Sequence, residues 1–339
     1  MSIYTKAAAF AAGYGTLALA WTILGRGFPY GPGGDPDNDA TVLRGLTAEV
    51  GAPLFAGVML VTAVVMLIMN GTLRPSRPAR TALLTYAWVV AFALVIVVPD
   101  SQVLTLAGYT PILIIGAPFG YPPVDYSEIF DWTLINQLVV FGGGVLLALA
   151  ALRWQNDTAG GSRRSWATPE AAARWGRWAV GVAVAVPAGY AAIRLAWFAG
   201  IPLGIPSEFL HDMQDSGMVV AGAGLGGFAL VGAILTLGLV QRWGEVFPRW
   251  MIGLAGRPVP IKLATVPAGL VALAVTAASL ALVTSDGFFT AFVGEPSLAT
   301  LPMAFFPLWG VALGTATVAY HLRRRAQPGL VQAPKVDAY

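Results

Sequence analysis

A chain of 339 residues that is 57% hydrophobic and only 11% charged, with a mean hydropathy of +0.70, has more apolar surface than one water-soluble core can hide. Lipid is therefore its solvent, and the net charge of +3 does not point to nucleic acid, because the bases sit in short loops at the ends of apolar runs. With no cysteine, the chain cannot form disulfides, thiolate nucleophiles, iron–sulfur clusters or Cys-ligated zinc.

Eight apolar runs follow one another at 4–25, 49–70, 81–99, 132–153, 178–200, 217–240, 262–284 and 301–322. Each is near the ~20 residues that a helix needs to cross the hydrocarbon layer. The first is too long for a secretory signal and ends at Gly25-Arg26-Gly27 without a clear cleavage site, so it is read as a retained helix. The loop after it holds Asp35, Asp37 and Asp39, whose alternation resembles the start of a calcium loop. The Gly at the sixth position and the Glu at the twelfth are missing, which leaves a weak metal candidate. Arg74, Arg77 and Arg80 precede the third run, and Asp100 follows it. Ser101 to Gly116 is apolar but short and interrupted by Pro111 and Pro118, and is read as an outer loop or re-entrant segment. Asp131 opens the fourth run, which carries Asn136, Gln137 and the bare patch Gly142-Gly143-Gly144.

A polar linker at 154–177 contains Thr168-Pro169-Glu170, a helix start that predicts a short interfacial helix leading into the fifth run. Trp154, Trp166, Trp175, Trp178, Trp243 and Trp250 are assigned to one interfacial belt. Arg194 is the one charge well inside a run, where a guanidinium needs to snorkel or find a partner. Glu208, Asp212 and Asp131 are its candidate counter-ions, and an anionic ligand group at an outer mouth is the functional reading. Glu208, His211, Asp212 and Asp215 recur at spacings of three to four, which places them on one side of a helix. Imidazole and carboxylates so arranged could ligate a divalent metal or act as a general base. Gly222 and Gly226 in the sixth run and Gly310 and Gly314 in the eighth are small-residue pairs suited to close helix packing. Residues 326–339 read as a disordered tail.

Nearly every base falls in one alternate set of loops and nearly every acid in the other. Loops rich in Lys and Arg stay cytoplasmic, so both termini are expected inside a bacterial plasma membrane. The chain also reads as a duplication. Tyr14, Leu19-Ala20-Trp21 and Pro29-Tyr30-Gly31 are echoed by Tyr190, Leu195-Ala196-Trp197 and Pro202-Leu203-Gly204. The expected fold is an all-α polytopic transmembrane bundle of about eight spans, arranged as parallel four-helix repeats at 1–153 and 178–325. The Tyr-x-x-x-x-Leu-Ala-Trp helices and Arg-Pro-rich loops resemble the uncharacterised multi-pass membrane proteins of high-GC Gram-positive (actinobacterial) type, a resemblance that implies no activity.

No phosphate-binding Gly-Lys loop, aspartate-rich isoprenoid motif, His-Glu-x-x-His or nucleophile elbow occurs, and no cofactor is evident. Three function classes remain. A non-catalytic protein that binds a lipophilic ligand or a membrane partner subunit at the acidic outer mouth asks least of the sequence. An enzyme acting on a lipid or isoprenoid would use the outer carboxylates and His211. A small-molecule transporter would lack obvious proton or sodium coupling, since the runs carry no carboxylate near mid-membrane.

Overall fold

The structure, a computed structural model, describes residues 1–33, 41–71, 75–119, 129–158, 167–285 and 301–325. Asp35, Asp37, Asp39, part of the linker and the 326–339 tail lie outside the described residues. Helices dominate, and a single isolated bridge pairs Val246 with Pro258. In chain order they are α1 (Ile3–Leu24), α2 (Ala48–Asn70), α3 (Arg77–Phe92), α4 (Ser101–Gly116), α5 (Trp132–Thr158), α6 (Pro169–Phe198), α7 (Ser207–Asp215), α8 (Met218–Leu237), α9 (Ile261–Thr284), α10 (Leu301–Ala304) and α11 (Phe306–Arg325).

Local chemistry sets the ends. Ser2 caps α1 by accepting from the Thr5 N–H at 3.1 Å, and Gly25, at φ 63°, closes it by donating to the Trp21 carbonyl. Thr168 caps α6 by accepting from the Ala171 N–H at 3.3 Å, with Pro169 as its first residue. The expected short linker helix is thus the opening of one continuous 30-residue helix. The segment expected as an outer loop or re-entrant segment is helical: α4 runs from Ser101 through position 111 to Gly116. Asp100 starts it, and a proline within a helix removes one hydrogen bond without forcing the chain to unwind.

Among the described residues seven helices are long and apolar enough to cross a membrane: α1, α2, Arg77–Val97, α5, α6, α8 and α9. Rows of exposed apolar side chains, such as Leu60, Val61, Val64 and Leu67 on α2, call for lipid around them. These features mark an integral membrane protein. α11 has 20 residues but ends in His321, Leu322 and three arginines, which lowers its apolar content.

The chain forms two units, Met1–Ser162 with Ala277–Thr290 and Arg163–Thr276 with Ala291–Tyr339. In the first, α1 packs along α2 and against α5, and α3 packs on α5. Alanines and glycines allow the approach: Ala7, Ala11, Ala52 and Ala150 are buried, Gly143 faces the Phe10 ring, and Gly144 faces Leu94 and Val95. Trp154, one of the tryptophans expected in the interfacial belt, has its ring buried in this core, whereas Trp178 and Trp250 are exposed. In the second unit α6 packs on α8 and α11, and Gly310 of α11 sits against Thr276 and Ala272 of α9.

The basic end of the second unit is tied by specific bonds. Tyr320 donates to the Gly244 carbonyl at 2.7 Å, Arg324 to Val259 at 2.9 Å, and Arg323 to the Leu239 carbonyl while pairing with Glu245 at 3.4 Å. In the first unit Arg80 donates to the Thr158 hydroxyl at 2.8 Å. Sequence reading treats these bases as orienting charges; they also fasten loops to helix ends.

Candidate functional site

The structure gathers some of the sequence-derived candidates and separates others. Glu208, His211, Asp212 and Asp215 do share one face of α7, and that face is exposed, because Leu210 and Met213 turn the other face onto Trp197 and Val219. Among the described residues their side chains form no hydrogen bond or ion pair, and no group of three His, Asp or Glu side chains is placed to hold a metal ion. Asp131 caps α5 in the first unit, its Oδ1 accepting from the Leu134 N–H at 2.6 Å. Arg194 has no carboxylate partner among the described residues. Its guanidinium instead lies over the rings of Tyr190 and Trp197, at 5.1 and 4.7 Å from their centroids.

A polar network that sequence reading missed lies inside the first unit. Asp100, counted by sequence among the loop acids, is 2% exposed. Its Oδ1 accepts from the Gln102 N–H at 2.8 Å, which caps α4, and its Oδ2 accepts from Gln137 Nε2 at 2.7 Å. In return its backbone N–H donates to Gln137 Oε1 at 3.3 Å. Next to Gln137 on α5, Asn136 donates to the Trp132 carbonyl and accepts from the Tyr14 hydroxyl at 3.2 Å, and Tyr14 shares a 2.8 Å hydrogen bond with Tyr30. Buried polar groups are tolerated when they satisfy one another in this way. Phe28, Phe55 and Trp21 close around the two tyrosines. Burial holds the Tyr30 phenol well above its ordinary pKa, and Tyr14 and then Asp100 act in the same direction.

Two residues before Asp100 ends the wall of a cleft of about 1040 Å³ between α2 and α3. Its floor and sides include Leu46, Phe55, Val58, Met59, Tyr86, Val90, Leu94 and Val98. Leu54 and Val89, both more than half exposed, form its lips. The lining follows α3 and its continuation from Pro78 to Val98, a path of ~30 Å at helical rise, comparable with the hydrocarbon thickness. Its polar groups are hydroxyls, on Thr81, Thr85 and Tyr86, and the Tyr86 hydroxyl already donates to the Val58 carbonyl at 2.9 Å.

The Val98 end of this wall is a π-helical turn, Ala93–Val97, closed by the Val98 N–H donating to the Ala93 carbonyl at 2.9 Å. Such turns insert one residue into a helix and recur at functional sites. Here the wider turn presents Ala93, Leu94 and Val97 to the cleft while Leu94 and Val95 also meet Gly144 of α5. Chemically the cleft can bind a hydrocarbon chain by shape and dispersion, and among the described residues its lining carries no charged side chain.

Compared with known protein families, with curated proteins and with solved structures, the chain matches none.

Proposed function

We propose that the protein is a non-catalytic component of a bacterial plasma membrane that binds a lipophilic chain, acyl or prenyl, in the cleft between α2 and α3. The observation that carries this reading is the cleft itself: an apolar volume at the upper end of the range for ligand pockets, open at its lips and lined, among the described residues, without charge. A ligand arriving from the bilayer would exchange lipid contacts for the fixed shape of Phe55, Met59, Val90 and the π-helical turn. Shape then provides selectivity, because hydrophobic burial against lipid tails offers little driving force of its own.

The proposal places this cleft in an eight-span protein with cytoplasmic termini, α11 being the eighth span and α4 lying outside the count. Two parallel repeats are part of it. In each unit the first long helix packs on the second and the fourth of that unit, and the Tyr14–Trp21 spacing of α1 recurs as Tyr190–Trp197 in α6. Both observations support duplication followed by divergence.

The test fills the cleft. Ala82→Trp and Ala93→Phe place large rings on two small lining positions. Purified protein in mild detergent is titrated with a pyrene-labelled fatty acid, and the thermal midpoint is recorded in parallel. The expected result is binding to the parent protein and loss of most of it in both variants at unchanged midpoint. Equal binding by parent and filled variants would overturn the proposal.

A further inference from the structure

The second unit has a feature that the cleft does not use. Arg194 sits one turn before the end of α6, and its side-chain stem lies on α8 at the glycine pair. A Cβ added at Gly226 would stand 2.9 Å from the Arg194 Cβ and 3.5 Å from the Ala191 carbonyl, and one at Gly222 would meet Arg194 Cδ and Nη1 at 3.7 and 3.8 Å. The glycine pair is therefore the seat of an arginine. Two rings hold the guanidinium in place, and one of them is itself fixed, since the Trp197 indole N–H donates to the Leu203 carbonyl at 2.9 Å.

What the arrangement lacks is an acceptor. Among the described residues neither the guanidinium nor the Tyr190 hydroxyl has a hydrogen-bond partner. A guanidinium inside a spanning helix asks for an anion. Arginine presents paired donors that fit a phosphate group bidentately. Its place, one turn inside the end of a spanning helix, is also the level at which phosphate meets hydrocarbon.

We infer that Arg194, with the Tyr190 hydroxyl beside it, forms a site for a phosphate oxyanion, supplied by the headgroup of a lipid in the adjacent leaflet. The site goes beyond the cleft in the first unit and stands without it.

The experiment uses the full chain carrying Ala82→Trp, so that cleft binding does not contribute, in mild detergent with native mass spectrometry as readout. The probes are dioleoylphosphatidylglycerol, dioleoylglycerol, which has the same chains and no phosphate, and inorganic phosphate. The phospholipid is expected to bind and dioleoylglycerol to bind weakly. Arg194→Gln should weaken the phospholipid by about tenfold or more, the loss expected when a charge-assisted hydrogen bond is removed. Arg194→Lys, which keeps the charge without the paired donors, should fall between. Tyr190→Phe, which removes the hydroxyl and keeps the ring under the guanidinium, should weaken binding several-fold and serves as the deciding variant if Arg194→Gln does not fold. Competition by inorganic phosphate with the phospholipid at equal concentration would keep the oxyanion site and assign it to free phosphate. Equal binding of the phospholipid and dioleoylglycerol, or phospholipid binding unchanged in both Arg194→Gln and Tyr190→Phe, would overturn the inference.

Discussion

Replacing Gln137 with leucine tests the buried network where it is tightest. Gln137 is 1% exposed and Asp100 is 2% exposed, so water cannot stand in for either partner. The substitution removes the 2.7 Å donor to the Asp100 carboxyl group and the 3.3 Å acceptor of the Asp100 N–H. In water-soluble proteins two such bonds would be worth about 2–4 kcal/mol. Within membranes neutral side-chain hydrogen bonds average about 0.6 kcal/mol, because the unfolded chain finds partners too. Leucine can supply neither bond, and the expected destabilisation is about 1–3 kcal/mol. Reversible unfolding in mixed detergent and dodecyl sulfate measures it. In an Asp100→Ala background the same change should lose most of its effect, giving a coupling energy of about 1 kcal/mol or more. A Gln137→Leu protein within about 0.5 kcal/mol of the parent would refute the reasoning.

Three further outcomes follow from the packing and the charges. Gly310→Ala should destabilise by about 1–3 kcal/mol, because the new methyl meets the Thr276 backbone N at 2.9 Å and the Ala272 carbonyl at 3.1 Å. Gly314→Ala, whose methyl would reach Ala272 at 3.7 Å, should be close to neutral; equal effects in detergent melts would contradict the packing. Arg323→Gln should cost about 1–2 kcal/mol and speed proteolysis between Leu239 and Glu245, since the arginine holds both; unchanged cleavage rates would count against that tie. Reporter fusions at Gly160 and Gly204 should report opposite sides of the membrane, and the same side would refute the eight-span topology.

Sequence reading recovers the spans because a helix in lipid needs an unbroken apolar run, and such runs end where Gly, Pro and charge begin. The second run, read as 49–70, is Ala48–Asn70 in the structure. Single residues whose partners are local were also legible. Arg194 stands out as a charge inside a run, and its rings lie three and four residues away, one helical turn on either side. Its seat on Gly222 and Gly226 was not legible, because the small-residue pattern says that something packs closely without saying what.

Asp100 was misplaced for a related reason. Counting charges by loop treats every acid beside a span as solvated, whereas its partner Gln137 lies 37 residues along the chain on another helix. The α7 candidates show the complementary limit: spacing puts Glu208, His211 and Asp215 on one face, and the Leu210 and Met213 contacts decide that the face looks outward. The π-helical turn has no signature at all, since Ala93-Leu94-Val95-Ile96-Val97 is as apolar as any helical run. The cleft beside it arises from how far α2 and α3 stand apart.

Occupation of that cleft is tested most directly by photolabelling in nanodiscs with a phospholipid bearing a diazirine on its acyl chain, followed by mapping of the adducts. Adducts concentrated on Val58, Ala82, Thr85 and Tyr86 are expected, above the level on the outward α2 positions Val61, Val64 and Leu67. Equal labelling of the cleft and the outward face would contradict a lipophilic binding site there.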